Sequence, residues 1–283
     1  MTGFTDKKKP QIKKTPVSLE KAVGLPYYIL LAVLIVFPFS IMILYAFNNA
    51  NTGVFQIQFS LSNFTDFLSQ PIFIRTMMES MYLATISTLI SLVIAYPLSY
   101  IIVRQSTKKQ LFLILLLTAP MWINMLIRAN GLKQIFSMVA PDLLGTDFAI
   151  ITGMVYMYLP YMVLPIYTSL SKIDDSLYES SADLGANKLQ TIRKVIIPLS
   201  LSGVMSGIMM VFLPAATTLV VPKYLGDGKR YMIGNLIDEA ILLKGNYGYG
   251  AAVSLILGIL MMVLIYFIKK IDKYEEVLSN EKE

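Results

Sequence analysis

Two sets of side chains in this chain have the types and spacing to bind something. The first is a single run: Glu179-Ser-Ser-Ala-Asp-Leu-Gly185, then nine residues, then Val195-Ile-Ile-Pro198. The second is scattered along or beside apolar stretches: Glu79, Trp122, Tyr156, Tyr158, Tyr161, Asp238 and Glu239. Carboxylates pair with ammonium or guanidinium groups, and aromatic faces attract such cations by ~0.5–2 kcal/mol. The chain has no His and no Cys. That excludes a disulfide, a Cys–His metal site, a Cys nucleophile and a Ser–His relay within it. A phosphate loop of the form Gly-x-x-x-x-Gly-Lys-Ser/Thr is also missing, so the chain does not hydrolyse ATP by that route. These residues are candidates for docking and for guiding a ligand, with no catalytic or metal-binding set among them.

The elements that position them are membrane spans. Hydrophobic residues make up 55% of the 283, and charged residues only 15%, against about 25% in soluble domains. The bilayer is the solvent that such a composition suits. A spanning helix needs about 20 apolar residues. Six such runs are predicted: 25–47, 77–103, 111–127, 150–170, 199–221 and 249–268. Pro97, Pro120, Pro160, Pro165 and Pro214 fall inside them, where neighbours can satisfy the freed carbonyls. The first run follows a basic segment but is too long for a secretory signal and lacks a small-x-small cleavage site, so it reads as a retained anchor. The first 16 residues, rich in Pro and Lys, read as disordered. No internal repeat of 20–50 residues is visible.

Lys and Arg set the orientation. The two tails and the loops around 104–109 and 172–194 hold 17 of them, and the opposite loops hold 7. The positive-inside rule puts the richer set, with both termini, in the cytoplasm. The net charge of +6 is spread over tails and loops. It suits a membrane surface and offers no basic face for nucleic acid.

The run at 179–198 is then cytoplasmic. Asp174 and Asp175 suit a helix N-terminus, and a short helix is expected from Ser176 to Leu184. Gly185 can end it in the left-handed conformation. Asn187 can cap a second helix through Ile196, with Pro198 at the entry to the fifth span. Ser180, Ser181 and Ala182 are small enough for another surface to approach the backbone. Glu179 and Asp183, four apart, share a face.

Glu, two small residues, three residues, Gly, nine residues, two aliphatics around a third residue, Pro: this pattern resembles the "EAA" loop of bacterial ABC-importer permeases. Glu179, Gly185 and Pro198 match in identity and spacing; Ser180 and Ser181 stand for the two alanines, and Val195 and Ile197 for Ile and Leu. Further segments are similar to those of polyamine permeases: Leu117-Thr-Ala-Pro-Met-Trp122-Ile-Asn-Met-Leu-Ile-Arg128, Tyr158-Leu-Pro-Tyr-Met-Val-Leu-Pro165, Leu184-Gly-Ala-Asn-Lys-Leu-Gln-Thr191, and Val221-Pro-Lys-Tyr-Leu-Gly226 with Met232-Ile-Gly-Asn-Leu-Ile237.

The resemblance implies an all-α transmembrane fold, the six-helix type I ABC importer permease (MetI-like) with a cytoplasmic coupling helix. The implied organisation is a cytoplasmic basic tail (1–24), the first span and an extracytoplasmic loop (25–75), a core permease domain (76–270) and a cytoplasmic tail (271–283). It implies a bacterial plasma-membrane protein that forms the path for spermidine or putrescine. The implied partners are a second homologous permease, two ABC ATPase subunits and an extracytoplasmic polyamine-binding protein, with lipid around the assembly. ATP and Mg would be bound by the ATPase, and no cofactor by this chain. ATPase coupling falls to Glu179, Ser180, Ser181, Ala182, Asp183, Gly185 and Pro198.

The substrate path is read from Glu79, Trp122, Tyr156, Tyr158, Tyr161, Asp238 and Glu239. Each has an ordinary alternative. Glu79 is near the outer end of the second run, four residues after Arg75, and can pair with it at the interface. The aromatics can serve packing or interfacial anchoring. Asp238 and Glu239 can form a solvated loop face. An importer for another small solute, or a stand-alone secondary transporter, are the alternative functions. The latter predicts paired intramembrane charges or an inverted repeat.

Overall fold

The computed structural model describes residues 17–48 and 58–280, with side chains over 24–48 and 58–270. The expected disorder of the first 16 residues lies outside the described residues. Helices dominate, and no strand occurs among the described residues. Four are long and apolar enough to cross a membrane unbroken: α1 (Gly24–Ala46), α2 (Pro71–Val103), α5 (Asp147–Leu170) and α9 (Tyr247–Asn280, spanning to Lys270). Two bent pairs raise the number to six if each pair is one span: α3 (Thr107–Trp122) with α4 (Met125–Val139), and α7 (Lys188–Leu199) with α8 (Leu201–Thr217). Between α5 and α7 lies α6 (Asp175–Asp183).

Two of the expected spans are corrected. The third, 111–127, is not one helix. Its last turn tightens to 3₁₀ geometry at Ala119–Trp122, and the chain then turns by 94° into α4. Pro120 has no N–H to continue the ladder, and the Asn124 side chain accepts from the Leu126 N–H at 2.8 Å, which starts a new helix. The fifth, 199–221, is shorter: the helix runs Leu201–Thr217, meets α7 at a 66° bend at its entry, and is followed by a short helix, Val220–Leu225.

α2, α5 and α8 form the core. More than half of the spanning part of α5 is buried within the chain, 56%, against 6% for α1. α5 is therefore central and α1 peripheral. The packing face of α2 is a stripe of small residues at helical spacing: Ser80, Ala84, Ser87, Ser91, Ala95 and Ser99, all buried. In lipid there is no hydrophobic drive between helices, so close backbone approach through small side chains does the work. Gly203 on α8 shows how close it is. A Cβ there would lie 2.4 Å from Ser169 Cβ and 2.7 Å from the Pro165 carbonyl oxygen.

α2 has 33 residues, roughly 50 Å at 1.5 Å per residue. That exceeds the hydrocarbon thickness of about 30 Å, so its ends emerge on both sides. At one end Ser80 accepts from the Ile233 N–H at 2.8 Å, tying α2 to a short helix, Ile233–Asp238. At the other, Gln110 donates to the Val103 and Gln105 carbonyls, both at 2.8 Å, and accepts from the Tyr167 hydroxyl at 3.1 Å. One amide thus joins the ends of α2, α3 and α5.

Candidate functional site

The α6–α7 hairpin is built from local signals. Asp174 accepts from the Ser176 N–H at 2.8 Å and caps α6. That backbone hydrogen bond, aided by the Ser176 hydroxyl, holds the Asp174 carboxyl below its ordinary pKa. α6 ends in a Schellman pair: Gly185 N–H to Ala182 O at 2.8 Å and Ala186 N–H to Ser181 O at 3.0 Å. Gly185 has φ +80°, the left-handed region, and nothing of this chain lies within 4 Å of where a Cβ would be. Asn187 and Gln190 then form a reciprocal capping box, both bonds 2.9 Å, that starts α7.

The two arms are pinned together by the Ser181 and Thr191 hydroxyls, 2.8 Å apart and buried. Ser181 therefore faces its own second arm rather than the exterior. Glu179, Ser180, Ala182, Asp183 and Gly185 are exposed, as is Pro198 on the second arm. So are two residues that sequence reasoning passed over: Leu184, 89% exposed, and Leu189, 73%. Exposed apolar side chains on either side of a glycine turn, with exposed Glu179 and Asp183 on the first arm, give the hairpin a surface of mixed character.

Arg104 also had no assigned role. It follows the last residue of α2, and its Nη1 lies 2.8 Å from Asp175 Oδ1 on α6. Its guanidinium carbon sits 3.4 Å from the centroid of the Tyr178 ring and 5.6 Å from that of Tyr100. Where α5 and α8 meet the first arm there is a cavity of about 620 Å³, with Thr168, Ser169, Lys172, Asp174, Ser202 and Ser206 in its wall.

The substrate-path candidates fall into two separate places. Glu79 borders a cavity of about 460 Å³ with Arg75, Lys229, Arg230 and Glu239. It pairs with Arg75 Nε at 2.9 Å and lies 3.8 Å from Arg230 Nη1, while Arg230 Nε reaches Asp147 at 3.2 Å. Two guanidiniums already stand beside Glu79, so an ammonium ion arriving there must compete with them. Glu239 pairs with Lys244 at 2.9 Å. Asp238 and Glu239 are not on a loop, as expected from sequence. Asp238 ends the helix Ile233–Asp238, and Glu239 opens a π-helical turn, Glu239–Leu243.

Trp122, Tyr158 and Tyr161 come together around a smaller cavity of about 230 Å³ at the α3–α4 bend. Tyr158 and Tyr161 have ring centroids 6.3 Å apart. Tyr156 does not line that cavity. Its ring lies 4.9 Å from the guanidinium of Arg128, whose Nη2 donates to the Tyr156 carbonyl at 3.1 Å. Arg128 is buried, borders the cavity, and has no partner at Nε. Sequence reasoning had counted it only as an outer-loop charge. An arginine just after the Asn124 cap, inside an apolar run, was the available signal.

Comparison with known proteins adds three findings. Residues 22–274 match the family described as binding-protein-dependent transport system inner membrane component. The spermidine/putrescine transport system permease protein PotB of Escherichia coli K12 is 36% identical over 226 residues, covering 74% of this chain and 82% of that one. PotB of Haemophilus influenzae is 34% identical over 229 residues, covering 76% and 80%. Among solved structures, a chain of a bacterial alginate ABC transporter superposes with TM-score 0.69 at 16% identity over 89% of this chain and 92% of that one. A chain of the MetNI methionine ABC transporter does so with TM-score 0.57 at 18% identity over 74% and 98%. At those identities the two structures speak to the fold alone.

Proposed function

The chain belongs to the family of binding-protein-dependent transport system inner membrane components, and on that footing we propose that the solute it passes is a polyamine, spermidine or putrescine. It is a permease subunit of an ABC importer with the type I, MetI-like helical fold, a non-enzymatic membrane component. The observation that carries the substrate reading is the identity of about a third to spermidine/putrescine permeases over most of both chains.

The remaining parts follow from the family and the geometry together. A second homologous permease completes the path, and two ATPase subunits grip the hairpins. An extracytoplasmic polyamine-binding protein delivers the substrate. Both termini are cytoplasmic, because the Lys/Arg excess of 17 to 7 lies on the side of the tails and the hairpin. The coupling surface is Glu179, Ser180, Ala182, Asp183 and Gly185, with Ser181 holding the arms and Pro198 on the second arm. Residues 76–270 carry the core, with α1 packed on its outside. ATP-driven closure of the ATPase pair favours one of two states of the spans, which is what makes transport vectorial. Glu79, with Asp238 and Glu239 nearby in sequence to Arg230, serves the outer mouth, and Trp122, Tyr158 and Tyr161 offer stacking faces deeper in, with Tyr156 seating Arg128.

The test is uptake of radiolabelled spermidine and putrescine in cells without other polyamine importers, with the whole transporter supplied. Uptake that competes with unlabelled polyamine is expected. Its absence, with an assembled complex in the membrane, rejects the substrate and leaves an importer for another small solute. Glu79→Gln is expected to lower polyamine uptake with assembly intact. Undiminished uptake would leave Glu79 as an interfacial partner of Arg75 and Arg230 only.

A further inference from the structure

We infer that Arg104 is a positioning residue that fastens the coupling hairpin to α2, so that a push on the hairpin is delivered along that helix to the opposite membrane face. The inference rests on the reading of the hairpin as the ATPase docking element.

The fastening has two points. Tyr96, Tyr100 and Arg104 are spaced by four and so form one stripe at the inner end of α2. Arg104 holds the first arm, with its guanidinium against Asp175 at 2.8 Å and over the Tyr178 ring at 3.4 Å. Asp175 and Tyr178, three apart, present one face of α6 to it. Tyr96 holds the second arm, its hydroxyl 2.9 Å from that of Ser200 at the α7–α8 bend. The buried Ser181–Thr191 contact joins the arms themselves. A body held at two points and braced across its middle cannot pivot about either one.

The chemistry selects Arg. The Asp175 side chain is 84% exposed, and an ion pair with so open a partner is screened and weak. The approach of the guanidinium to the Tyr178 ring, with Tyr100 farther off at 5.6 Å, is the stronger part, and an ammonium does not reproduce that contact. α2 then continues without a break to Arg75 and Glu79 at its far end. Like α5, whose Asp147 pairs with Arg230, it reaches from the hairpin to the ion pairs of Arg230, but it is α2 that carries the two side-chain fastenings.

The experiment uses the complete importer in proteoliposomes, with its ATPase, second permease and binding protein. It measures substrate taken up per ATP hydrolysed and, separately, the amount of ATPase that copurifies. Arg104→Ala and Arg104→Lys are expected to retain the ATPase and its hydrolysis but to lower uptake per ATP by about tenfold, within the usual range of coupling between sites. Tyr178→Ala is expected to do the same. Tyr178→Phe, which keeps the ring, is expected to restore wild-type coupling. An unchanged ratio in Arg104→Ala overturns the inference. So does equal uncoupling by Tyr178→Phe and Tyr178→Ala, because the ring contact would then be irrelevant. Loss of ATPase from Arg104→Ala also overturns it, since Arg104 would then merely support the docking surface. If the wild-type chain itself fails to retain the ATPase, the docking reading has failed, and the inference with it.

Discussion

Gly185 allows the partner's surface to be separated from the chain's own strain. The residue sits at φ +80°, and a Cβ added there meets nothing of this chain within 4 Å. Any L-residue pays about 1–2 kcal/mol for the left-handed conformation, while Asn tolerates it best. Within this chain Ala and Leu strain the backbone alike, and the Cβ that they share has open space around it. If the ATPase requires the hairpin as it stands, that strain weakens assembly by roughly 5- to 30-fold. A difference in ATPase binding between Ala and Leu, with the two folding equally well, reports the reach of Leu beyond Cβ into the docked partner. The assay is titration of the ATPase onto permease in nanodiscs, with uptake measured in parallel. Gly185→Asn is expected to bind within a few-fold of wild type. Gly185→Ala should fall by about tenfold, a loss of about 1.4 kcal/mol. Gly185→Leu should fall well beyond Ala and abolish transport while inserting normally in the membrane. Equal binding by Ala and Leu would refute docking against Gly185, leaving only backbone strain. Normal binding by both would refute the role of the turn altogether.

Two further predictions concern the frame. In this Cys-free chain, Lys108→Cys, Lys188→Cys and Ser279→Cys should resist an impermeant thiol reagent applied to intact cells, while Asp66→Cys and Asp142→Cys should react; labelling of Ser279→Cys from outside would overturn the proposed orientation. Gly203→Leu should separate α5 from α8, because its Cβ alone would lie 2.4 Å from Ser169 Cβ; a loss of about 1–3 kcal/mol or more is expected for such overpacking, read as a lowered Tm in detergent, and an unchanged Tm would contradict the packing.

The hairpin was the most legible part of the sequence because its signals are local. Asp174, Gly185 and Asn187 each act on backbone groups within a few residues, so their types and spacing suffice to write caps and a turn. The long spans were legible for a similar reason, since length and apolarity are properties of one segment. The bend after Trp122 was not, because hydropathy has no direction and the apolar run continues through it. Asp238 and Glu239 were misplaced on a loop because two acids after an apolar segment look alike whether coiled or helical. The inward turn of Ser181 depends on Thr191 in the other arm. The Arg104–Asp175 contact joins residues 71 apart, and Arg230 meets Glu79 and Asp147 only once three elements converge. Tertiary contacts of this kind leave no periodic trace.

The peripheral position of α1 carries a mechanical consequence. Its C-terminal end is anchored: Ala46 packs on Ala251 and Ala252 of α9, and the Asn63 amide donates to the Ala46 carbonyl at 3.0 Å. From Leu25 to Phe39 most side chains are exposed, and the helix passes through a π turn, Ala32–Val36. π-helical turns interrupt the regular i→i−4 ladder. α1 is thus held at one end within this chain, and the exposed side chains along the rest are left for lipid or for the second permease. Because only 6% of its spanning window is buried within the chain, a movement of that arm disturbs little of the core packing.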